Sequence, residues 1–209
     1  RYYLNILGGD TVRTEGPMVW TVTIIGDIPK GTAIMRSGAQ VGDIVVVTNY
    51  VGYAATGLGA LSYNLDGYHM TKVGHQRPDP QIELGQQLRQ LGIHSMNDIS
   101  DGLGSELNEI ASASNVSIVI EEKAIPLHEE TYELAKYLQT NPVDYALYGG
   151  EDFQLVFTAP KSLLPKLENL AGITIIGEVV SGPAQVQMVT PDKTIKTIEA
   201  KGYNHFHES

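Results

Sequence analysis

An α/β layered fold is what the pattern of this chain predicts. Runs rich in β-branched residues, such as 41–47 (VGDIVVV) and 116–120 (VSIVI), read as strands. Between such runs lie stretches with helical spacing, as in 81–91, where Ile82, Leu84, Leu88 and Leu91 are apolar. From Arg36 onward the two kinds interleave, the pattern of helices layered on a sheet.

Taken in order, 19–25 (VWTVTII) alternates and is rich in β-branched residues, so it predicts a strand. The stretch 26–31, with Pro29 inside it, is a turn and a plausible domain junction. A strand buried on both faces follows at 41–47. Residues 52–65 are rich in small side chains and helix-like, suited to close packing on a sheet. In the loop 75–80, Pro78 and Pro80 restrict the backbone to extended conformations. Helices are expected at 81–91, about 102–114, 129–138 and 162–170. Strands are expected at 116–120, 153–157, 173–176, 185–189 and 194–198.

The composition is that of a soluble globular protein: 209 residues, 42% of them hydrophobic. No cysteine is present, which excludes disulfides, thiolate metal sites and a cysteine nucleophile. A formal charge of −10 repels nucleic acid, and no basic run makes a local exception. It also repels ATP, so a nucleotide must arrive with cations. No apolar stretch approaches roughly 20 residues and no signal peptide is visible, which favours the cytoplasm over a membrane.

Three separated acidic motifs carry the chemistry: Gly8-Gly9-Asp10-Thr11, Asn97-Asp98-Ile99-Ser100-Asp101-Gly102 and Gly149-Gly150-Glu151-Asp152. Crowded carboxylates repel unless a cation sits between them, and glycine lets backbone amides approach a bulky anion. Each motif has a plainer reading beside the functional one. Asp10 serves equally as a turn or cap residue, Asp101 or Ser100 as the cap of the helix that follows, and the 149–152 acids as a solvated turn. Two carboxylates and a hydroxyl within four residues nevertheless exceed what one cap requires. Arg36, in Arg36-Ser37-Gly38-Ala39, is either a surface arginine or a bidentate partner for phosphate or nucleobase.

Other chemistries find no support. No Walker A pattern and no Gly-x-Ser-x-Gly elbow occurs, and Gly57-Leu58-Gly59 lacks the third glycine of a dinucleotide fingerprint. His205 and His207 form a His-x-His near the C-terminus, and the remaining histidines are isolated.

The motifs, with Gly202-Tyr203-Asn204-His205-Phe206 at the end, resemble in kind and order the thiamine-monophosphate kinase family. That family belongs to the superfamily that includes aminoimidazole-ribonucleotide synthetase and selenophosphate synthetase. The resemblance implies an α/β (α+β) layered sandwich, a mixed sheet covered by helices. It implies ATP-dependent phosphorylation of thiamine monophosphate to thiamine diphosphate, with Mg2+ as cofactor, ATP as co-substrate and no protein nucleophile or base. By position, Asp10, Asp98 and Asp101 resemble magnesium ligands. Gly9, Asp10, Arg36 and Ser100 resemble ATP contacts, and Glu151 and Phe206 substrate contacts. A homodimer is implied as the family's state.

Two departures from the family pattern stand out. Val12 occupies a place where the family often has a second threonine. The family's upstream magnesium aspartates, metal-binding threonines and substrate histidine have no counterpart here. The expectation is a remnant of an N-terminal ATP- and magnesium-binding domain over 1–30, a C-terminal α/β domain over 31–209, and no turnover by these residues alone. The alternatives are a related ATP-dependent synthetase of the superfamily and a non-catalytic Mg-nucleotide binding module.

Overall fold

A computed structural model describes residues 4–201. Its strands are β1 (Ile44–Thr48), β2 (Ser95–Asp98), β3 (Ser117–Glu121), β4 (Leu155–Ala159), β5 (Ile173–Val180), β6 (Gln185–Val189) and β7 (Ile195–Ile198). They form one sheet in the order β2-β4-β1-β5-β3-β6-β7, antiparallel throughout except for the parallel pair β3–β6. The helices are α1 (Tyr53–Ser62), α2 (His69–Gln76), α3 (Ile82–Leu91), α4 (Leu103–Ser114), α5 (Glu129–Leu138), α6 (Pro142–Tyr148) and α7 (Leu164–Leu167). The fold is α/β and layered, as the sequence predicts.

Strand β1 sits centrally and every residue in it is buried. Successive side chains in a strand point to opposite faces, and β1 accordingly divides between two cores. Val45 and Val47 join a large core with Leu103, Leu107 and Ile110 of α4 and Val143, Ala146 and Leu147 of α6. Ile44 and Val46 join a smaller one with Leu88 of α3, Phe157 of β4 and Leu167 of α7. Helices therefore cover both faces of the sheet.

Helix α1 differs from the sequence reading. Its small residues do pack closely, but on α2 and α5 rather than on the sheet. A Cβ at Gly57 would lie 2.1 Å from the Thr71 carbonyl oxygen of α2, closer than any side chain permits. The small-residue pattern encodes close approach without encoding the partner.

The largest departure is 19–25, where no strand forms and all seven residues are exposed. β-branched residues favour a strand only when a neighbouring backbone takes up its hydrogen bonds. None of the hydrogen bonds of 4–28 leaves that segment among the described residues. Strand β4 begins at Leu155 rather than Phe153 because Phe153 is left-handed, with φ 49°. The expected helix at 162–170 contracts to a 3-10 turn at Lys161–Leu163 followed by the single turn of α7. No helix among the described residues is long and apolar enough to cross a membrane.

Phe157 is fully buried, and truncation to alanine is expected to cost about 3–5 kcal/mol in chemical denaturation. Trp20 is 83% exposed, so Trp20→Ala is expected to change stability by no more than about 0.5 kcal/mol. Equal losses at the two positions would contradict this assignment of the core.

Candidate functional site

The backbone itself joins two of the three acidic motifs. Edge strand β2 pairs with β4 as far as Asp98 opposite Leu155, and the pairing then continues beyond both strands. Ile99 N–H donates to the Gln154 carbonyl (2.7 Å), Phe153 N–H to the Ile99 carbonyl (2.9 Å) and Glu151 N–H to the Ser100 carbonyl (2.8 Å). Segments 97–101 and 150–154 thus run side by side. The approach is close enough that a Cβ at Gly150 would sit 2.4 Å from the Ser100 oxygen. Glu151 (φ 68°) and Phe153 (φ 49°) are both left-handed, a conformation costing about 1–2 kcal/mol per residue that carries a Cβ. Strain of this kind gathers at functional loops.

Behind the loop lies a buried carboxylate that the sequence reading did not single out. Glu106, in the first turn of α4, accepts from Asp101 N–H (3.1 Å), Ser100 N–H (3.4 Å) and the Ser100 hydroxyl (3.2 Å), all through Oε1. Its Oε2 accepts from the Asn97 amide, which also donates to Glu109 (2.9 Å). Arg36 Nε donates to Asn97 Oδ1 (3.1 Å) and lies 3.0 Å from a Glu109 oxygen. Burial pushes the Glu106 carboxyl up from its ordinary value, against the pull of the Asp101 amide, and nearby Glu109 adds to the rise. The expected cap runs in reverse: neither Ser100 nor Asp101 caps α4, and Glu106 reaches back to hold their amides.

Asp152 is buried too, in a second loop-holding role. Its carboxylate accepts from Gly52 N–H (2.5 Å) and Ala54 N–H (2.8 Å), with the Tyr53 amide also contributing. It therefore caps α1 from a hundred residues away. Burial pushes its pKa up to about 6, while the three amides pull it down.

Arg36, Ser100 and Asp101 share the Glu106 network, with Asp98 in the same loop and Glu151 hydrogen-bonded to that loop. The carboxylates of Asp98, Asp101 and Glu151 are exposed and have no side-chain partner among the described residues. The terminal nitrogens of Arg36 are likewise unpaired. Among the described residues no bond brings Asp10 to this cluster: it is exposed, and its carboxylate accepts there only from the Thr11 amide (2.8 Å). A Cβ at Gly9 would meet nothing within 4 Å. Phe206 lies outside the described residues. Among the described residues, no three acids or histidines converge closely enough to hold a metal by themselves. Asp98 and Asp101 nevertheless carry exposed hard oxygen atoms of the kind Mg2+ takes together with water and phosphate oxygens.

Sequence reasoning missed Glu106 and Glu109, and it named Asn97 and Asp152 in the motifs without giving them a role; Asp152 is buried rather than part of a solvated turn. A glutamate shortly after Asp101-Gly102 was a signal for Glu106, since acids are enriched in a first helical turn. For Asp152 the only signal was its place beside Glu151, because Gly52 is distant in sequence.

Residues 40–189 match the family described as AIR synthase related protein, C-terminal domain. Among curated proteins, the chain is 38% identical to the thiamine-monophosphate kinase of Bacillus subtilis (strain 168), covering 98% of this chain and 65% of that protein. It is 35% identical to the thiamine-monophosphate kinase of Escherichia coli (strain K12), covering 98% and 64%. The chain thus spans just under two thirds of the length of these relatives. Among solved structures, it is similar to the thiamine-monophosphate kinase of Stenotrophomonas maltophilia K279a (30% identity, TM-score 0.71, covering 77% of this chain and 54% of that one). It is also similar to AaThiL complexed with AMPPCP and TMP (34%, TM-score 0.71, covering 83% and 54%).

Asp152 gives a pH signature with a definite sign. Its folded pKa of about 6 lies above the ordinary 3.8, so its contribution to stability is full below about pH 4 and is lost as pH rises through about 6. The difference amounts to about 3 kcal/mol. The stability of wild type relative to Asp152→Asn is expected to shrink by about that amount from pH 4 to pH 7 in paired denaturation curves. A gap that is constant with pH would refute this.

Proposed function

The chain belongs to the AIR synthase related protein family, and from that premise we propose that it forms part of a kinase converting thiamine monophosphate to thiamine diphosphate with Mg-ATP. The observation carrying the reading is the side-by-side pairing of 97–101 with 150–154, which puts Asp98, Asp101 and Glu151 in paired loops. The curated relatives at 31–38% identity bear the name of that activity, and a similar structure is described with AMPPCP and TMP.

Arg36 is suited to bind the nucleotide. Its Nε is spent on Asn97 and Glu109, which fixes the side chain and leaves the terminal nitrogens as a fork for an anion. Asp98 and Asp101 are the residues to hold magnesium, which when bound supplies the positive charge that two phosphate-bearing reactants need in order to approach. Asp10 is assigned to the same role and Gly9 to the adjoining nucleotide contact, both on the family pattern. Glu151, exposed and unpaired, offers its carboxylate to the cationic heterocycle of the substrate, and Phe206 a ring face to stack on it. The acceptor phosphate is already ionised near neutral pH. Its oxygen attacks the terminal phosphorus of ATP, the bond to ADP breaks, and no protein base is required. The reaction is assigned to the cytoplasm and to a homodimer.

On the family pattern, whose upstream magnesium aspartates and substrate histidine have no counterpart here, these 209 residues alone are expected to give no turnover. The test is formation of thiamine diphosphate from thiamine monophosphate and Mg-ATP by the full-length protein carrying this chain. Asp98→Asn and Asp101→Asn are each expected to lower kcat/KM on the order of a hundredfold. If the full-length protein makes no thiamine diphosphate, the assignment is wrong.

A further inference from the structure

Glu106 is buried, with 2% of its surface exposed, and the phosphoryl transfer does not use it. A carboxylate in that position is costly unless donors surround it. The donors it has recruited are the Ser100 amide, the Ser100 hydroxyl and the Asp101 amide on one oxygen, and Asn97 on the other. Asn97 is the joint to the arginine, because its amide donates to Glu106 and Glu109 while its carbonyl oxygen accepts from Arg36 Nε. One side chain therefore fixes the Ser100–Asp101 loop directly and Arg36 through a single intermediary.

The hydroxyl of Ser100 has one proton, and it points at Glu106. What remains on the open side of that oxygen is a pair of lone pairs. Ser100 so held presents its lone pairs rather than its proton to a ligand. It can accept, from a sugar hydroxyl or from water on a cation, or coordinate a cation itself.

We infer that Glu106 is the positioning residue of the nucleotide site, holding the Asp98–Asp101 loop and Arg36 in register and orienting Ser100 as an acceptor. The inference rests on the nucleotide-site reading above. It assigns Glu106 no contact with substrate.

Glu106→Gln preserves size and removes the charge. A glutamine offers one acceptor oxygen where the carboxylate has two, so either Asn97 or the Ser100–Asp101 donors would face an NH2 group. Glu109 is half-exposed, and Glu109→Gln weakens the arm to Arg36 and one contact of Asn97 while leaving the Ser100 and Asp101 contacts of Glu106 in place. Mg-ATP and thiamine monophosphate would be titrated calorimetrically into the full-length wild type, Glu106→Gln, Glu106→Asp and Glu109→Gln, with melting temperature measured for each. The expected result is a loss of at least tenfold in Mg-ATP affinity for Glu106→Gln, with thiamine monophosphate affinity within twofold of wild type. Glu106→Asp, which keeps the charge, should recover part of the loss, and Glu109→Gln should show a smaller one. If Glu106→Gln does not fold, the Asp variant carries the test, with the same selective weakening of Mg-ATP expected. Unchanged Mg-ATP affinity, or equal loss for both ligands in step with the melting temperature, overturns the inference and leaves the kinase reading standing. Failure of the wild type to bind Mg-ATP overturns both.

Discussion

The site depends on a backbone pairing that outruns its own sheet. Where β2 and β4 end, the hydrogen bonds between them do not: Ile99, Ser100, Glu151, Phe153 and Gln154 continue the exchange into the loops. Two motifs fifty residues apart in sequence thereby become neighbours. The pairing explains the glycine at 150, which leaves room for the Ser100 carbonyl, and it offsets the left-handed strain at Glu151 and Phe153.

Two buried carboxylates then secure what the backbone aligns. Glu106 holds the loop before α4, and Asp152 holds the start of α1; both work by accepting backbone amides. Neither is free of cost, since burial raises the pKa of each. An ion surrounded by fixed N–H dipoles is stable enough to keep and expensive to disturb. The site's acids thus divide into two kinds: buried ones that organise, and exposed ones (Asp98, Asp101 and Glu151) that remain available to a ligand.

Strong local patterns were legible from sequence. The double-sided burial of β1 followed from its unbroken apolar run, and α5 falls where its periodicity placed it. Weak or partner-dependent patterns were not. β2 is four residues long, Ser-Met-Asn-Asp, and exists because β4 offers an edge. α2 went unread in a stretch without a clear apolar stripe. α6 had a start signal in Asn141 and Pro142, and Asn141 does cap it, but the stretch was short. At 19–25 the error ran the other way, because strand propensity without a pairing partner produced no strand.

By itself the sequence determined the layered α/β class and most of the longer elements, because periodicity is a local property. Only the tertiary structure decided that 97–101 lies against 150–154, that α1 packs on helices, and that Glu106 rather than Asp101 organises the loop. Those outcomes depend on which backbone groups and side chains meet across long separations, and on the burial that makes such meetings obligatory. Nothing in a linear pattern records which distant amide a buried carboxylate will find.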